Sequence, residues 1–200
     1  IIHGLMAKFD EISHYSNMKA VIITGYDNVF CMGGTKEQLN DISDNKNAFT
    51  DVPFLYRGLL SSNIPVIAAM QGHAFGGGML FGLYADIVIM AREAVYSAVF
   101  TKYGFTPGMG ATYILREKMG NSLSIEMMYT AKLYRGEELE RRGANVIFAG
   151  QKEVFKEALF MARQIAEKPR YTLEVLKRGL ADRMLNYLDV CIEDEERMHK

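Results

Sequence analysis

A glycine-rich turn between two apolar segments is the part of this sequence best suited to chemistry. The run Gly72-His73-Ala74-Phe75-Gly76-Gly77-Gly78 follows the strand-like residues 66–70 and precedes a helical pattern over residues 79–85. A strand that leads through glycines into a helix leaves backbone N–H groups unpaired, with the positive end of the helix dipole behind them. The pattern therefore predicts a site that binds an oxyanion.

A second glycine turn strengthens this prediction. Phe30-Cys31-Met32-Gly33-Gly34 follows the β-branched, strand-like residues 19–25. If the two strands are neighbours, the N–H groups of Gly34 and Gly77 could converge on one oxygen and form an oxyanion hole. The alternative is that these glycines serve only tight turns and close packing of a helix on a strand.

Neither turn has the spacing of a nucleotide-binding loop. The dinucleotide-binding fingerprint is Gly-x-Gly-x-x-Gly. Gly76 and Gly78 match its first two glycines, but Phe81 stands in the place of the third. The Walker pattern is also absent.

Composition narrows the function classes. The 200 residues are 49% hydrophobic and 24% charged, which predicts one globular domain. A formal net charge of −1 argues against a nucleic-acid partner.

No apolar run reaches about 18 residues and no signal peptide is recognisable, so we expect a cytoplasmic protein without a membrane partner. Cys31 and Cys191 lie far apart without metal-ligand spacing, so we expect free thiols and no metal site.

The chain alternates between strands and helices in its first half. Apolar residues at helical spacing predict a helix over residues 2–12, and apolar runs predict strands at 19–25, 66–70 and 85–91. A helix is expected at 52–60, and a mobile loop at 33–51 around a short helix that begins near Thr35.

The second half is predicted to be helical. A further glycine-rich loop at 103–110 leads into helices expected at 111–118, 122–129, 137–142, 152–168 and 172–199. No linker or repeat separates these helices from the rest, so we expect them to belong to the same domain.

Five segments in this order resemble the crotonase (enoyl-CoA hydratase/isomerase) superfamily. They are Phe-x-x-Gly-Gly, Ile-Pro-Val-Ile-Ala-Ala, Gly-His-Ala-Phe-Gly-Gly-Gly, Ala-Asp-Ile-Val-Ile and Gly-Phe-x-Pro-Gly. The resemblance implies an α/β fold of stacked β–β–α turns around two roughly perpendicular sheets. Residues 1–135 would form this core, without the family's N-terminal β-hairpin, and residues 136–200 a C-terminal helical region of the same domain. It also implies a homotrimer or a dimer of trimers.

The resemblance assigns roles to both glycine turns. The N–H groups of Gly34 and Gly77 would hold a thioester carbonyl oxygen while it becomes an enolate. Hydratases of the family carry two glutamates at positions that are Leu80 and Phe100 here. Addition of water needs one carboxylate to activate the water and one carboxylic acid to protonate carbon, so the sequence argues against a hydratase. We expect Leu80 and Phe100 to line the substrate site instead.

A narrower resemblance concerns the reaction. Residues 102–108, together with Gly25-Tyr26-Asp27-Asn28 and Met70-Gln71-Gly72-His73, are similar to the decarboxylating members found in polyketide β-branching cassettes. This implies conversion of 3-methylglutaconyl on an acyl carrier protein to 3-methylcrotonyl. It implies no cofactor beyond the phosphopantetheine of the carrier, or CoA, that holds the substrate.

Two histidines are candidates for the site. The family's decarboxylases place a histidine of the C-terminal helix over the reacting group, and the resemblance assigns this role of proton donor to His199. The alternative is a solvated histidine near a helix end, after an acidic stretch at 193–196. His73, in the turn before the glycines, either contacts substrate or braces the loop.

A cation for the substrate's carboxylate is harder to identify. Some relatives carry a tyrosine and a lysine after the first oxyanion turn, where this chain has Gln38 and Ile42. Lys46 is the nearest basic residue and a candidate for substrate binding, with a solvated lysine as the alternative.

Two other functions stay open at this point. One is an isomerase or dehydratase whose acid and base come from elsewhere in the chain. The other is a non-catalytic subunit that binds acyl thioesters. A serine peptidase on the related Clp scaffold is excluded because glycine stands at the nucleophile position.

Overall fold

The computed structural model describes residues 2–34 and 53–198, in which helices surround two small β-sheets. The helices in this part of the chain are α1 (Ile2–Ser13), α2 (Phe54–Arg57), α3 (Gly77–Leu83), α4 (Ala111–Met119), α5 (Asn121–Thr130), α6 (Gly136–Arg141), α7 (Val154–Ala166) and α8 (Arg170–Met198), with a 3₁₀-helix at Thr101–Tyr103. The strands are β1 (Val21–Thr24), β2 (Val29–Cys31), β3 (Val66–Met70), β4 (His73–Phe75), β5 (Ile87–Ala91), β6 (Val95–Ser97), β7 (Tyr134–Arg135) and β8 (Ile147–Ala149).

The first sheet is fully parallel, with strand order β1-β3-β5-β8. Its second strand, Val66–Met70, is buried at every position. Parallel sheets are covered on both faces, which explains why this strand is an unbroken apolar run rather than an alternating one. Helix α7 packs against β1, β3, β5 and β8 and covers this sheet.

The second sheet has the order β2-β4-β6-β7, and only its last pair is antiparallel. The chain places β1, β3 and β5 in the first sheet and the strand that follows each of them in the second. Helix α3 follows β4, and its residues 78–83 are all buried. A helix that is apolar on every side must lie inside the protein, so α3 forms part of the core and begins within the second glycine turn.

Most of the predicted elements are confirmed. The helix predicted at 2–12, the strands at 19–25, 66–70 and 85–91, and the five later helices are all present with boundaries that differ by a few residues. The two-sheet α/β fold implied by the crotonase resemblance is confirmed as well.

Some predictions were wrong or incomplete. Strands β2, β4, β6, β7 and β8 were missed because two or three residues are too few to show a two-residue hydrophobic period. The helix predicted at 52–60 is restricted to Phe54–Arg57. Soon after it, the Ser62 hydroxyl bonds both the N–H and the carbonyl of Ile64, an arrangement that competes with helical hydrogen bonding. The loop predicted at 33–51 lies outside the described residues from residue 35 onward.

The C-terminal region is not purely helical. Strand β8 lies within residues 136–200, yet it forms the edge of the first sheet through parallel pairing with β5. Residues 136–198 therefore complete the sheet as well as covering it. Helix α8 is 29 residues long, but neither it nor any other described helix has an apolar stretch that could cross a membrane.

A buried ion pair joins α8 to the strands of the first sheet. The Lys177 ammonium lies 2.8 Å from both carboxylate oxygens of Asp86 and donates to the Leu59 carbonyl at 2.8 Å. One Asp86 oxygen also accepts the Val66 N–H at 2.8 Å. Burial lowers the pKa of Lys177, and the neighbouring carboxylate of Asp86 opposes that change. Both charges are thus compensated at the point where α8 enters the core.

We predict that Lys177→Met destabilises the protein by about 3 kcal/mol, because it removes the ion-pair partner of a partly desolvated Asp86 carboxylate, which keeps, among the described residues, only its hydrogen bond from the Val66 N–H. The matched control is Arg178→Met, which removes one positive charge from an exposed position of the same helix. Urea unfolding followed by circular dichroism measures both variants. Equal losses of stability in the two variants would contradict the role given to the buried pair.

Candidate active site

The two glycine turns leave neighbouring strands of the second sheet. Strands β2 and β4 are parallel, with Val29 opposite His73 and Cys31 opposite Ala74. The carboxyl ends of parallel strands meet at one edge of a sheet. The turns at residues 32–34 and 76–78 therefore emerge side by side. The sequence prediction derived this arrangement from the strands at 19–25 and 66–70. Those strands do pair, as β1 and β3, but they lie in the first sheet, and the turns follow β2 and β4 instead.

The main chains of the two turns are in direct contact. A Cβ on Gly33 would lie 3.5 Å from the nitrogen of Gly78 and 3.7 Å from that of Gly77. A Cβ on Gly78 would lie 2.4 Å from the Cys31 carbonyl oxygen and 2.7 Å from the nitrogen of Gly33. The distances at Gly78 leave no room for a side chain, so glycine is required there for the two main chains to approach this closely.

Within the described residues the N–H of Gly77 donates no hydrogen bond, whereas the N–H groups of Met79 and Leu80 both donate to the Gly76 carbonyl. This is the expected state of the first helical residues, which have no intrahelical acceptor. Gly34 is exposed and ends the first described range, one residue beyond Gly33. The predicted donor residues thus belong to two turns that touch.

A third loop reaches the same place. The Met109 sulfur would lie 3.1 Å from a Cβ on Gly77, so the thioether packs over this glycine. Met109 has φ of 60°, a left-handed conformation that is costly for a residue with a side chain. Its carbonyl accepts a hydrogen bond of 2.6 Å from the Tyr84 hydroxyl. Burial, followed by the nearby Glu195, raises the pKa of Tyr84, so this phenol remains a donor.

Leu80 and Phe100 are both buried, with 0% and 7% of their surface exposed. Leu80 lies in α3, and Phe100 immediately precedes the 3₁₀-helix. Neither can activate water or protonate carbon. Their contact with a substrate stays a prediction.

His73 has a bracing contact. Its Nδ1 accepts the Val95 N–H at 2.9 Å, which ties β4 to the start of β6. This acceptor role puts the proton of the neutral ring on Nε2. The bracing alternative considered for His73 therefore has a defined partner, whereas contact with substrate remains a prediction.

The remaining predicted site residues, His199 and Lys46, lie outside the described residues, as do Gln38 and Ile42. In residues 2–34 and 53–198, no three His, Cys, Asp or Glu side chains are grouped as a metal site would require. The described site therefore consists mainly of backbone groups and apolar side chains.

Sequence reasoning missed Met109, Tyr84 and Glu195. Glu195 lies in the acidic stretch at 193–196, for which the sequence suggested no role, yet only 1% of it is exposed. The positive φ of Met109 and its approach to Gly77 have no signal in the residue types. The glycines on either side of it, Gly108 and Gly110, indicated only that the loop turns sharply.

Comparison with known proteins agrees with this geometry. A family model described as enoyl-CoA hydratase/isomerase matches residues 1–200. The bacillaene synthase decarboxylase PksI of Bacillus subtilis (strain 168) is 48% identical over 196 residues, which cover 98% of this chain and 78% of PksI. A probable mitochondrial enoyl-CoA hydratase 2 of Arabidopsis thaliana is 25% identical over 203 residues, covering all of this chain and 67% of that protein.

Two solved structures are similar over almost the whole chain. One comes from a dehydratase/decarboxylase enzyme couple involved in polyketide β-branching, with a TM-score of 0.95, 48% identity, and coverage of 99% of this chain and 80% of that one. The other is the ECH2 decarboxylase domain of CurF from Lyngbya majuscula. Its TM-score is 0.89 at 38% identity, and the match covers 100% of this chain and 81% of that domain.

We predict that Gly33→Ala separates the two turns, because its Cβ would lie 2.9 Å from the carbonyl oxygen of Phe75, which is main chain and cannot easily give way. The control is Gly143→Ala, where φ is 80° but no atom lies within 4 Å, so it carries the same backbone strain without the crowding. We expect Gly33→Ala to cost about 1–3 kcal/mol more stability than the control in urea unfolding. Equal costs would show that only the left-handed conformation matters.

Proposed function

This chain belongs to the enoyl-CoA hydratase/isomerase family, and we propose that it acts within that family as a decarboxylase. It removes CO₂ from a 3-methylglutaconyl group on an acyl carrier protein and leaves a 3-methylcrotonyl group, in a polyketide β-branching pathway. The observation that carries this proposal is the main-chain contact of the Gly33 turn with Gly77. In addition, Leu80 and Phe100 stand where the hydratases of the family have glutamates. The decarboxylases PksI and CurF ECH2, to which the chain is similar, support the same reaction.

The reaction needs a place for an electron pair. The bond between the substrate's carboxylate carbon and its neighbouring carbon breaks, and CO₂ departs. The electron pair moves through the conjugated system to the thioester oxygen, forming a dienolate. One proton then adds to carbon and restores the neutral thioester. The thioester itself accepts the electrons, so the scheme requires no separate electron-accepting cofactor.

The two turns supply the stabilisation in this scheme. The N–H groups of Gly34 and Gly77 would donate to the thioester oxygen as its negative charge develops. Such donors act strongly because they are already oriented, and loss of one typically costs about 10²–10³ in rate. The N–H of Gly77, which has no acceptor among residues 2–34 and 53–198, supports this assignment. Because the donors are backbone groups, side-chain replacement elsewhere leaves them in place.

The residues that would otherwise direct the reaction toward hydration are absent. An acid and a base at positions 80 and 100 would activate water and protonate carbon. Leucine and phenylalanine there exclude water from the dienolate instead. Decarboxylation creates its own carbanion equivalent and does not need that base, which favours it over the hydratase, dehydratase and isomerase alternatives.

We assign proton donation to His199. It follows α8 in the sequence, four residues after Glu195. Glu195 is hydrogen-bonded to Gly110 and Thr112, beside the Met109 that packs over Gly77. The last turn of α8 is therefore held next to the loop that reaches the site. Lys46 is proposed, on its charge alone, to bind the substrate's carboxylate.

The proposed partners follow from the substrate and from one exposed surface. The acyl group would arrive on the phosphopantetheine of an acyl carrier protein in the cytoplasm. Helix α8 leaves several large apolar side chains at least half exposed, namely Val175, Leu176, Leu180, Tyr187 and Val190. An apolar surface of this kind is typical of protein contacts, and it supports assembly into a homotrimer or a dimer of trimers.

We predict that the purified protein converts 3-methylglutaconyl-carrier to a product lighter by one CO₂. Mass spectrometry of the acyl-phosphopantetheine group measures the change, with heat-inactivated protein as the control. A hydrated or isomerised acyl group would replace this proposal by a different reaction of the family. Binding of the carrier without any mass change would favour a non-catalytic thioester-binding subunit.

We predict that His199→Ala lowers kcat by about 10²-fold or more, because a positioned general acid contributes about 10²–10⁴. The matched control is His3→Ala, which removes an exposed histidine from α1 and should retain wild-type kcat. Circular dichroism verifies that both variants are folded. Wild-type turnover by His199→Ala would remove this residue from the mechanism.

A further inference from the structure

Glu195 is a buried carboxylate whose hydrogen-bond partners among the described residues, Gly110 and Thr112, lie where α4 begins. One carboxylate oxygen accepts the Gly110 N–H at 2.7 Å. The other accepts the Thr112 N–H at 2.8 Å and the Thr112 hydroxyl at 2.7 Å. Within the described residues no basic side chain pairs with it. Burial raises the pKa of the Glu195 carboxyl, and the hydrogen bonds from Thr112 and Gly110 oppose that rise.

These contacts join two parts of the chain that are distant in sequence. Glu195 lies in the last turn of α8, and its partners form the beginning of α4. It provides acceptors for two of the N–H groups that the start of a helix leaves unpaired. The C-terminal end of α8 is thereby attached to the glycine-rich loop rather than left in solvent.

The loop held in this way has an unusual conformation. Met109 and Gly110 are consecutive left-handed residues, with φ of 60° and 70°. Glu195 holds the N–H of Gly110, and the Tyr84 hydroxyl holds the carbonyl of Met109. Strained backbone of this kind persists where the surrounding structure constrains it on more than one side. The conformation directs the Met109 side chain over Gly77.

We infer that Glu195 is a positioning residue for catalysis, which acts through the loop at 109–112 to set Met109 against the oxyanion donor Gly77. This inference rests on the proposed function of that donor. Met109 forms the wall beside the N–H of Gly77, so its position decides how closely a thioester carbonyl can approach that donor. A displacement of about 1 Å at a reacting group can cost about 10² in rate.

The carboxylate is required because both of its oxygens act as acceptors. A glutamine at this position has the same shape but only one acceptor oxygen. If that oxygen faces Thr112, the amide NH₂ faces the Gly110 N–H. In the opposite orientation the amide NH₂ faces the N–H and the hydroxyl of Thr112. Glu195→Gln therefore places two donors against each other in either orientation, whereas it would have little effect if Glu195 only filled space.

The experiment compares Glu195→Gln with Glu193→Gln, the same chemical change at a solvent-exposed position of α8. Steady-state decarboxylation is measured at a temperature where circular dichroism shows both variants fully folded. We expect Glu195→Gln to lower kcat by about tenfold to a hundredfold with a smaller change in KM, and Glu193→Gln to match the wild type. Equal kcat for the two variants would overturn the inference.

A second readout separates this inference from the proposed reaction. The methyl resonance of Met109, labelled with ¹³C and assigned by its loss in Met109→Leu, should shift in Glu195→Gln and stay in place in Glu193→Gln. This measurement needs no turnover. Absence of decarboxylation by the wild type would therefore count against the proposed function, whereas an unmoved Met109 resonance would count against the role of Glu195.

A milder variant covers the case in which Glu195→Gln does not fold. Thr112→Val removes only the hydroxyl donor to Glu195 and keeps the backbone N–H contact. We expect it to lower kcat in the same direction by about threefold to tenfold, and Thr112→Ser, which keeps the hydroxyl, to restore most of that loss. Wild-type kcat for Thr112→Val, together with an unmoved Met109 resonance, would contradict the positioning role.

Discussion

The close approach of two backbone turns is the constraint on which the rest of this structure depends. Gly33 and Gly78 allow main chain to contact main chain, since a Cβ at Gly78 would overlap the Cys31 carbonyl and the nitrogen of Gly33. Only at such a separation can two N–H groups from different turns serve one oxygen atom. The parallel pairing of β2 with β4 aligns the turns, and the buried helix α3 begins within the second of them.

Helix α8 connects the C-terminal region to this arrangement at two points. Lys177 inserts its charge between Asp86 and the Leu59 carbonyl, and Glu195 holds the beginning of α4. The two residues are 18 positions apart, about 27 Å along a helix. Each is a buried charged side chain, which is costly unless its partners are in place. The helix is therefore fixed in position along its length by polar contacts as well as by apolar packing.

The same arrangement explains why little acid–base machinery is found in the described part of the site. A reaction that releases CO₂ produces its own electron pair, so the protein has to stabilise the pair and later deliver one proton. In the proposed mechanism, the backbone donors, the buried apolar Leu80 and Phe100, and the thioether of Met109 would perform the first task. A site that hydrates a double bond needs two carboxyl groups in addition. Decarboxylation and hydration therefore differ in the side chains that they require at a few positions, such as 80 and 100, of the same fold.

Residue types alone determined the two glycine turns, the apolar strands at 66–70 and 85–91, and the lack of glutamate at positions 80 and 100. These features depend on local requirements for glycine, on long apolar runs or on chemical identity, all of which can be read directly. Three-residue strands such as β4, β6 and β8 required the tertiary structure, because their pairing depends on neighbours far away in the chain. The same holds for Glu195. An acidic residue in an acidic stretch looks solvated until folding brings it to the unpaired N–H groups of Gly110 and Thr112.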